Sequence, residues 1–133
     1  MGNFLCGAEI SGPYEFQVRP MHVSDVPDNK VTKIKVKMEE QHAESSEDVT
    51  FERCGSDRRM QRWGLEEPVM KFKGKDFQKD TMDIEVVGLD ERPAIPLSRL
   101  SLQKDELVMR NICVGKHQLK LMMTLVQAEK NVA

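Results

Sequence analysis

A chain of 133 residues with 39% hydrophobic and 32% charged side chains is long enough to bury one core and too apolar to stay unfolded. No apolar run reaches the roughly 18 to 20 residues of a membrane-spanning helix, and a net charge of -2 carries no overall nucleic-acid signature. The expectation is one domain over residues 1–133.

Met1-Gly2-Asn3-Phe4-Leu5-Cys6 approaches the myristoylation pattern, although that pattern wants Ser or Thr where Cys6 stands. Gly2 is then a candidate acylation site and Cys6 a second anchor, while Phe4, Leu5 and Ile10 read equally as a first strand. After the breaker pair Gly12-Pro13, Tyr14, Phe16 and Val18 alternate in the manner of a half-buried strand. In Val31 to Met38 the alternation is clearer: Ile34, Val36 and Met38 point one way, Lys33, Lys35 and Lys37 the other. Lysines on such a face also discourage edge-to-edge aggregation.

The next ten residues, Glu39 to Asp48, are acidic and nearly free of apolar side chains, which predicts a mobile loop. Glu39, Glu40, Glu44, Glu47 and Asp48 are its candidate partner-binding groups, and Ser45, with Asp48 three residues on, resembles an acidophilic phosphorylation site. Charge then reverses. Arg53, Arg58, Arg59, Arg62, Lys71, Lys73 and Lys75 surround Trp63, Phe72 and Phe77, a pattern that suits an added hairpin or edge strand. Its alternative use is single-stranded nucleic-acid contact through Arg58, Arg59, Arg62 and Trp63. Met82, Ile84 and Val86 alternate before Gly88; Pro93 and Pro96 flank Ile95 as at a strand start or sheet edge. Leu119, Leu121, Met123 and Leu125 recur at every second position, although the residue types there would also suit a helix. Frequent Gly and Pro breaks cut the chain into short pieces, as an all-β sandwich or barrel requires.

The residues that carry chemistry do not assemble into a site. His22, His42 and His117 are isolated, and Cys6, Cys54 and Cys113 are odd in number, widely spaced and without a CxxC pair, as free thiols in a reducing compartment would be. No glycine-rich phosphate loop is present. The expectation is a binding protein with no catalytic residue, metal or cofactor.

The order of the strands resembles the nucleoplasmin family. The resemblance rests on Asn3 to Ile10 followed by Tyr14-Glu15-Phe16-Gln17-Val18, on Val31 to Met38, on Met82 to Val87, and on Ala94-Ile95-Pro96-Leu97-Ser98-Arg99-Leu100. Val108 to Val114 and Gln118 to Thr124 supply the last pair. It implies a jelly-roll β-sandwich that assembles as a pentameric homo-oligomer, binds core histones or other basic proteins, and acts in the nucleus. The chain departs from the family in an acidic-then-basic insertion at about 39–80, in lacking the family's glycine-rich close, and in having no acidic tail before Ala133. The acidic residues of the insertion are given the tail's role by charge alone. Two alternatives stand beside this one: a lipid-anchored or cytoplasmic protein-interaction adaptor using Gly2 and Cys6, and a nucleic-acid-binding β domain using the stretch around Trp63.

Overall fold

The structure is a computed structural model that describes residues 12–26, 32–55 and 58–127. Short alternating segments demand a partner face for every apolar row, and the chain meets that demand with two antiparallel sheets. The larger sheet contains β1 (Tyr14–Val26), β4 (Val49–Arg53), β5 (Arg59–Trp63), β6 (Met70–Gly74), β9 (Leu107–Val114) and β10 (His117–Gln127). Its order is β4-β5-β1-β10-β9, with β6 also paired to β1. The smaller sheet contains β2 (Ile34–Met38), β3 (Gln41–Glu44), β7 (Thr81–Val86) and β8 (Ala94–Pro96), in the order β3-β2-β7-β8. The all-β sandwich expected from the sequence is the fold.

The inner rows fill one core. Tyr14, Phe16 and Val18 of β1 meet Phe72 of β6, Ile34 and Val36 of β2, Met82 and Ile84 of β7, and Leu119, Leu121 and Met123 of β10, all of them buried. Each such side chain contributes roughly 1.5 to 3 kcal/mol when taken from water. The segment from Leu119 to Leu125, which also suited a helix, is strand because every second residue enters this core.

The expected mobile acidic loop is instead partly strand. Gln41–Glu44 pairs with β2 across a two-residue turn at Glu39 and Glu40. A polar segment can do this at a sheet edge, where one neighbour and one packed residue suffice; here Ala43 packs on the core. The Gln41 side chain then extends the pairing sideways: its Nε2 donates to the Lys73 carbonyl and its Oε1 accepts from Lys73 N, both at 2.7 Å. Buried Gln61 does the same for Thr32, with Nε2 donating to the carbonyl and Oε1 accepting from N, again at 2.7 Å. These two amides stand in for backbone where the two sheets approach one another. The described parts of this segment thus supply β3 to the smaller sheet and β4, β5 and β6 to the larger.

β1 organises the larger sheet because it has three partners. Along one edge it pairs with β10 from Tyr14 to Val23; along the other, Tyr14 to Val18 pair with β6 and His22 to Val26 with β5. The change of partner falls at Pro20, which lacks a backbone N–H, and the register against β10 slips between Pro20 and His22. Arg19, Pro20 and Met21 therefore face a gap in the sheet. The connection Gly64 to Val69 between β5 and β6 spans that gap.

Candidate functional site

The gap and the strands around it position a set of side chains on the outer face of the larger sheet. Inward parity of Tyr14, Phe16 and Val18 sends Glu15, Gln17 and Arg19 outward, and the register then aligns rows across the face. Glu15 lies beside Lys73, and Gln17 between Lys71 and Thr124. Arg19 is opposite Met122, which is opposite Met109. Past the bulge, a continuous row runs Thr50, Arg62, His22, Lys120, Asn111. Arg19, Arg62, Lys71, Lys73 and Lys120 thus share a face with the carboxylates Glu15 and Glu52, while Asp25 of β1 is paired to Arg58. Arg62 is paired to Glu52 at 3.1 Å; among the described residues no carboxylate lies within ion-pair distance of the other four cations. Exposed apolar side chains border them: Leu107 at 60%, Met109 at 50% and, on the spanning connection, Leu65 at 84%.

His22 sits at the centre of the row. Its Nδ1 is buried and has no hydrogen-bond partner among the described residues. Burial lowers its pKa below the usual 6.5, and the neighbouring Arg62 and Lys120 lower it further against a weaker opposing effect of Glu52. The neutral imidazole is therefore favoured in an already cationic setting.

The connection above the gap is fixed at both ends. Arg19 Nη1 donates to the Leu65 carbonyl at 2.5 Å. Glu67, itself buried, accepts from Ser46 N at 2.8 Å and from the Ser46 hydroxyl, while Trp63 Nε1 donates to the Ser46 carbonyl at 3.1 Å.

The residues singled out from the sequence fall elsewhere or serve otherwise. Glu39 and Glu40 occupy the β2–β3 turn, Glu44 is opposite Lys35 at 3.9 Å, and Glu47 and Asp48 lie between β3 and β4. They line a hairpin and its exit rather than one flexible tract. Ser45 is 4% exposed and its Oγ accepts from Ile34 N at 2.8 Å, so the hydroxyl extends the β2–β3 pairing and is closed to a modifying enzyme. Trp63 is 4% exposed and faces the core, which removes it from the proposed base-stacking role; Arg58 pairs with Asp25 at 3.7 Å, and Arg59 lies opposite Arg53. Gly2 and Cys6 lie outside the described residues. Sequence reasoning missed Arg19 and the grouping of Arg62, Lys71, Lys73 and Lys120. Alternation of Met70, Phe72 and Gly74 with Lys71 and Lys73 was the available signal.

The smaller sheet's outer face makes a contrast. Its rows run Glu44, Lys35, Glu85 and His42, Lys37, Asp83, so each lysine stands between acidic or neutral neighbours. Arg92 closes the first row onto Glu85 at 3.5 Å. Among the described residues no three His, Cys, Asp or Glu side chains gather in a way that could hold a metal ion.

No family model and no curated protein matches the chain. Among solved structures, the tandem pair of C2 domains of extended synaptotagmin 2 matches with a TM-score of 0.51 and 17% identity, over 91% of this chain and 43% of that one. The calcium-bound form of the same pair of domains gives a TM-score of 0.49 and 13% identity, over 87% and 43%. The chain spans less than half the length of these structures. The likeness is one of fold, a C2-like β-sandwich. It overturns the reading of the chain as a histone-shielding module: the likeness is to C2 domains, and Glu39, Glu40 and Glu44 of the supposed acidic arm belong to the β2–β3 hairpin.

Proposed function

We propose that this chain is a binding module, not an enzyme, that docks on anionic membrane surfaces at the cytoplasmic side through the outer face of the larger sheet. The charge imbalance on that face carries the reading: Arg19, Arg62, Lys71, Lys73 and Lys120 against Glu15 and Glu52, beside exposed Leu107 and Met109. Each Lys or Arg near an anionic leaflet contributes about 1 kcal/mol, and the attraction decays over a Debye length of roughly 8 Å at physiological salt. Leu107 and Met109 add apolar area for the headgroup boundary. An acyl chain at Gly2, with or without Cys6, would act as the second anchor that stable attachment requires.

Co-sedimentation with vesicles tests the proposal. The protein is expected to bind phosphatidylcholine vesicles containing phosphatidylserine, not phosphatidylcholine alone, and to lose binding at high salt. K71Q/K73Q/K120Q is expected to weaken binding about 100-fold, from about 1 kcal/mol per cation. Binding that is unaffected by these substitutions would refute the assignment of the face.

A further inference from the structure

The guanidinium of Arg19 is unusual for its surroundings. The residue is only 9% exposed, yet its two hydrogen-bond partners are both neutral: the Leu65 carbonyl, and the Met122 sulfur, which receives Nη2 at 3.1 Å. Burying a cation without a counter-charge is unfavourable, and an arginine offers five N–H donors, so donors and positive charge remain to be met. The gap in the sheet explains how the position arose. Where β1 changes partner from β6 to β5, no strand covers Arg19, and a cleft of about 220 Å³ opens between Arg19, Met21, Arg62, Trp63, Gly64 and Leu65. Arg62 enters from β5, with His22 and Lys120 next in its row. Arg19 and Arg62 thus line one small cleft; Arg62 pairs with Glu52 at 3.1 Å and borders an adjoining cleft that also carries Asp48, Glu66 and Glu67.

We infer that this cleft binds a phosphate monoester, gripped by Arg19 from the floor and Arg62 from the rim. Arginine suits the task because its planar fork meets two phosphate oxygens at once. Arg19 is already oriented by Leu65 and Met122, so little side-chain freedom is lost on binding. Arg62 would exchange its exposed pairing with Glu52 for a stronger anion. The phosphate comes either from a lipid headgroup, in which case the inference rests on the membrane reading above, or from a soluble inositol phosphate.

Trp63, the chain's single tryptophan, lines the cleft and reports on it. The experiment is a titration of Trp63 emission with inositol trisphosphate, inorganic phosphate as competitor, and in parallel with vesicles of phosphatidylcholine containing phosphatidylinositol phosphate or phosphatidylserine. A saturable change with inositol trisphosphate is expected, reversed by inorganic phosphate and weakened about tenfold or more in R62Q, the loss of one charged hydrogen-bond donor set. R19K keeps the charge and removes the fork, with a similar expected loss. K35Q, on the other sheet, is expected to change nothing. No response to inositol trisphosphate, or equal affinities in wild type and R62Q, would overturn the site. Vesicle binding without a headgroup response would leave the membrane reading and reject the cleft; a headgroup response without vesicle binding would keep the cleft, assign its phosphate to the soluble source and reject the membrane reading.

Discussion

Both outer faces of this sandwich carry basic side chains, and they differ in what stands beside them. On the smaller sheet, Lys35 lies between Glu44 and Glu85, and Lys37 between His42 and Asp83, so the strand register sets a carboxylate beside each lysine. On the larger sheet, Lys71, Lys73 and Lys120 are aligned with Gln17, Glu15 and His22, and the cations accumulate. Composition does not decide which face can attract an anionic surface. Register does, because long-range attraction depends on charge left uncompensated within a Debye length.

The largest expected effect comes from reversing charge on one face at a time. K71E/K73E/K120E is expected to abolish retention on anionic vesicles, at about 1 kcal/mol for each cation removed and a further penalty for each carboxylate added. K35E/K37E, which only disturbs a balanced face, is expected to retain most of the wild-type binding; equal losses in the two variants would dissolve the distinction between the faces.

The next effects concern how the cationic face is held in place. Gly74 lies opposite Tyr14, and a Cβ there would stand 2.1 Å from the Tyr14 ring. That ring is fixed by the hydroxyl's hydrogen bond to Asp80 at 2.6 Å and by edge-on contact with Phe77 at 5.7 Å, and burial with the Asp80 charge pushes its pKa far above the usual 10.0. Gly74→Ala is therefore expected to destabilise the domain by about 1–3 kcal/mol, read as a lower midpoint in urea. Gln61→Ala leaves the Thr32 N–H and carbonyl without their partner and is expected to cost about 1–3 kcal/mol by the same measurement.

His22 gives a smaller, pH-dependent effect. Its folded pKa is depressed below 6.5, so the unfolded chain takes up a proton more readily and stability falls as pH drops through and below that value. Urea midpoints measured against pH should show this fall in the wild type and less of it in His22→Gln. Smallest of all is Lys35→Gln: its ion pair with Glu44 is half exposed at 3.9 Å, and the expected change in stability is within about 0.5 kcal/mol.

The sequence was readable where a single strand carried its own pattern. Ile34, Val36 and Met38 against Lys35 and Lys37 define β2, and Pro93 and Pro96 mark the edge strand β8, because parity and proline chemistry are local properties. It was unreadable where function depends on neighbours distant along the chain. Lys35 and Lys37 read as no more than a solvent face until Glu85 and Asp83 arrive from β7. The acidic run looks like a free loop until Gln41 finds β6, and Arg19 means nothing until β5 and β6 leave a gap beside it. The resemblance to nucleoplasmin illustrates the same limit: short alternating strands recur in many β-sandwiches, so they carry architecture better than function.

The most direct test of the account labels both faces in one sample. Lysine acetylation read by mass spectrometry, with and without vesicles of phosphatidylcholine and phosphatidylserine, compares Lys71, Lys73 and Lys120 with Lys35 and Lys37. The account predicts that vesicles protect the first three and leave Lys35 and Lys37 reactive; protection of Lys35 and Lys37 with Lys71, Lys73 and Lys120 still open would contradict it.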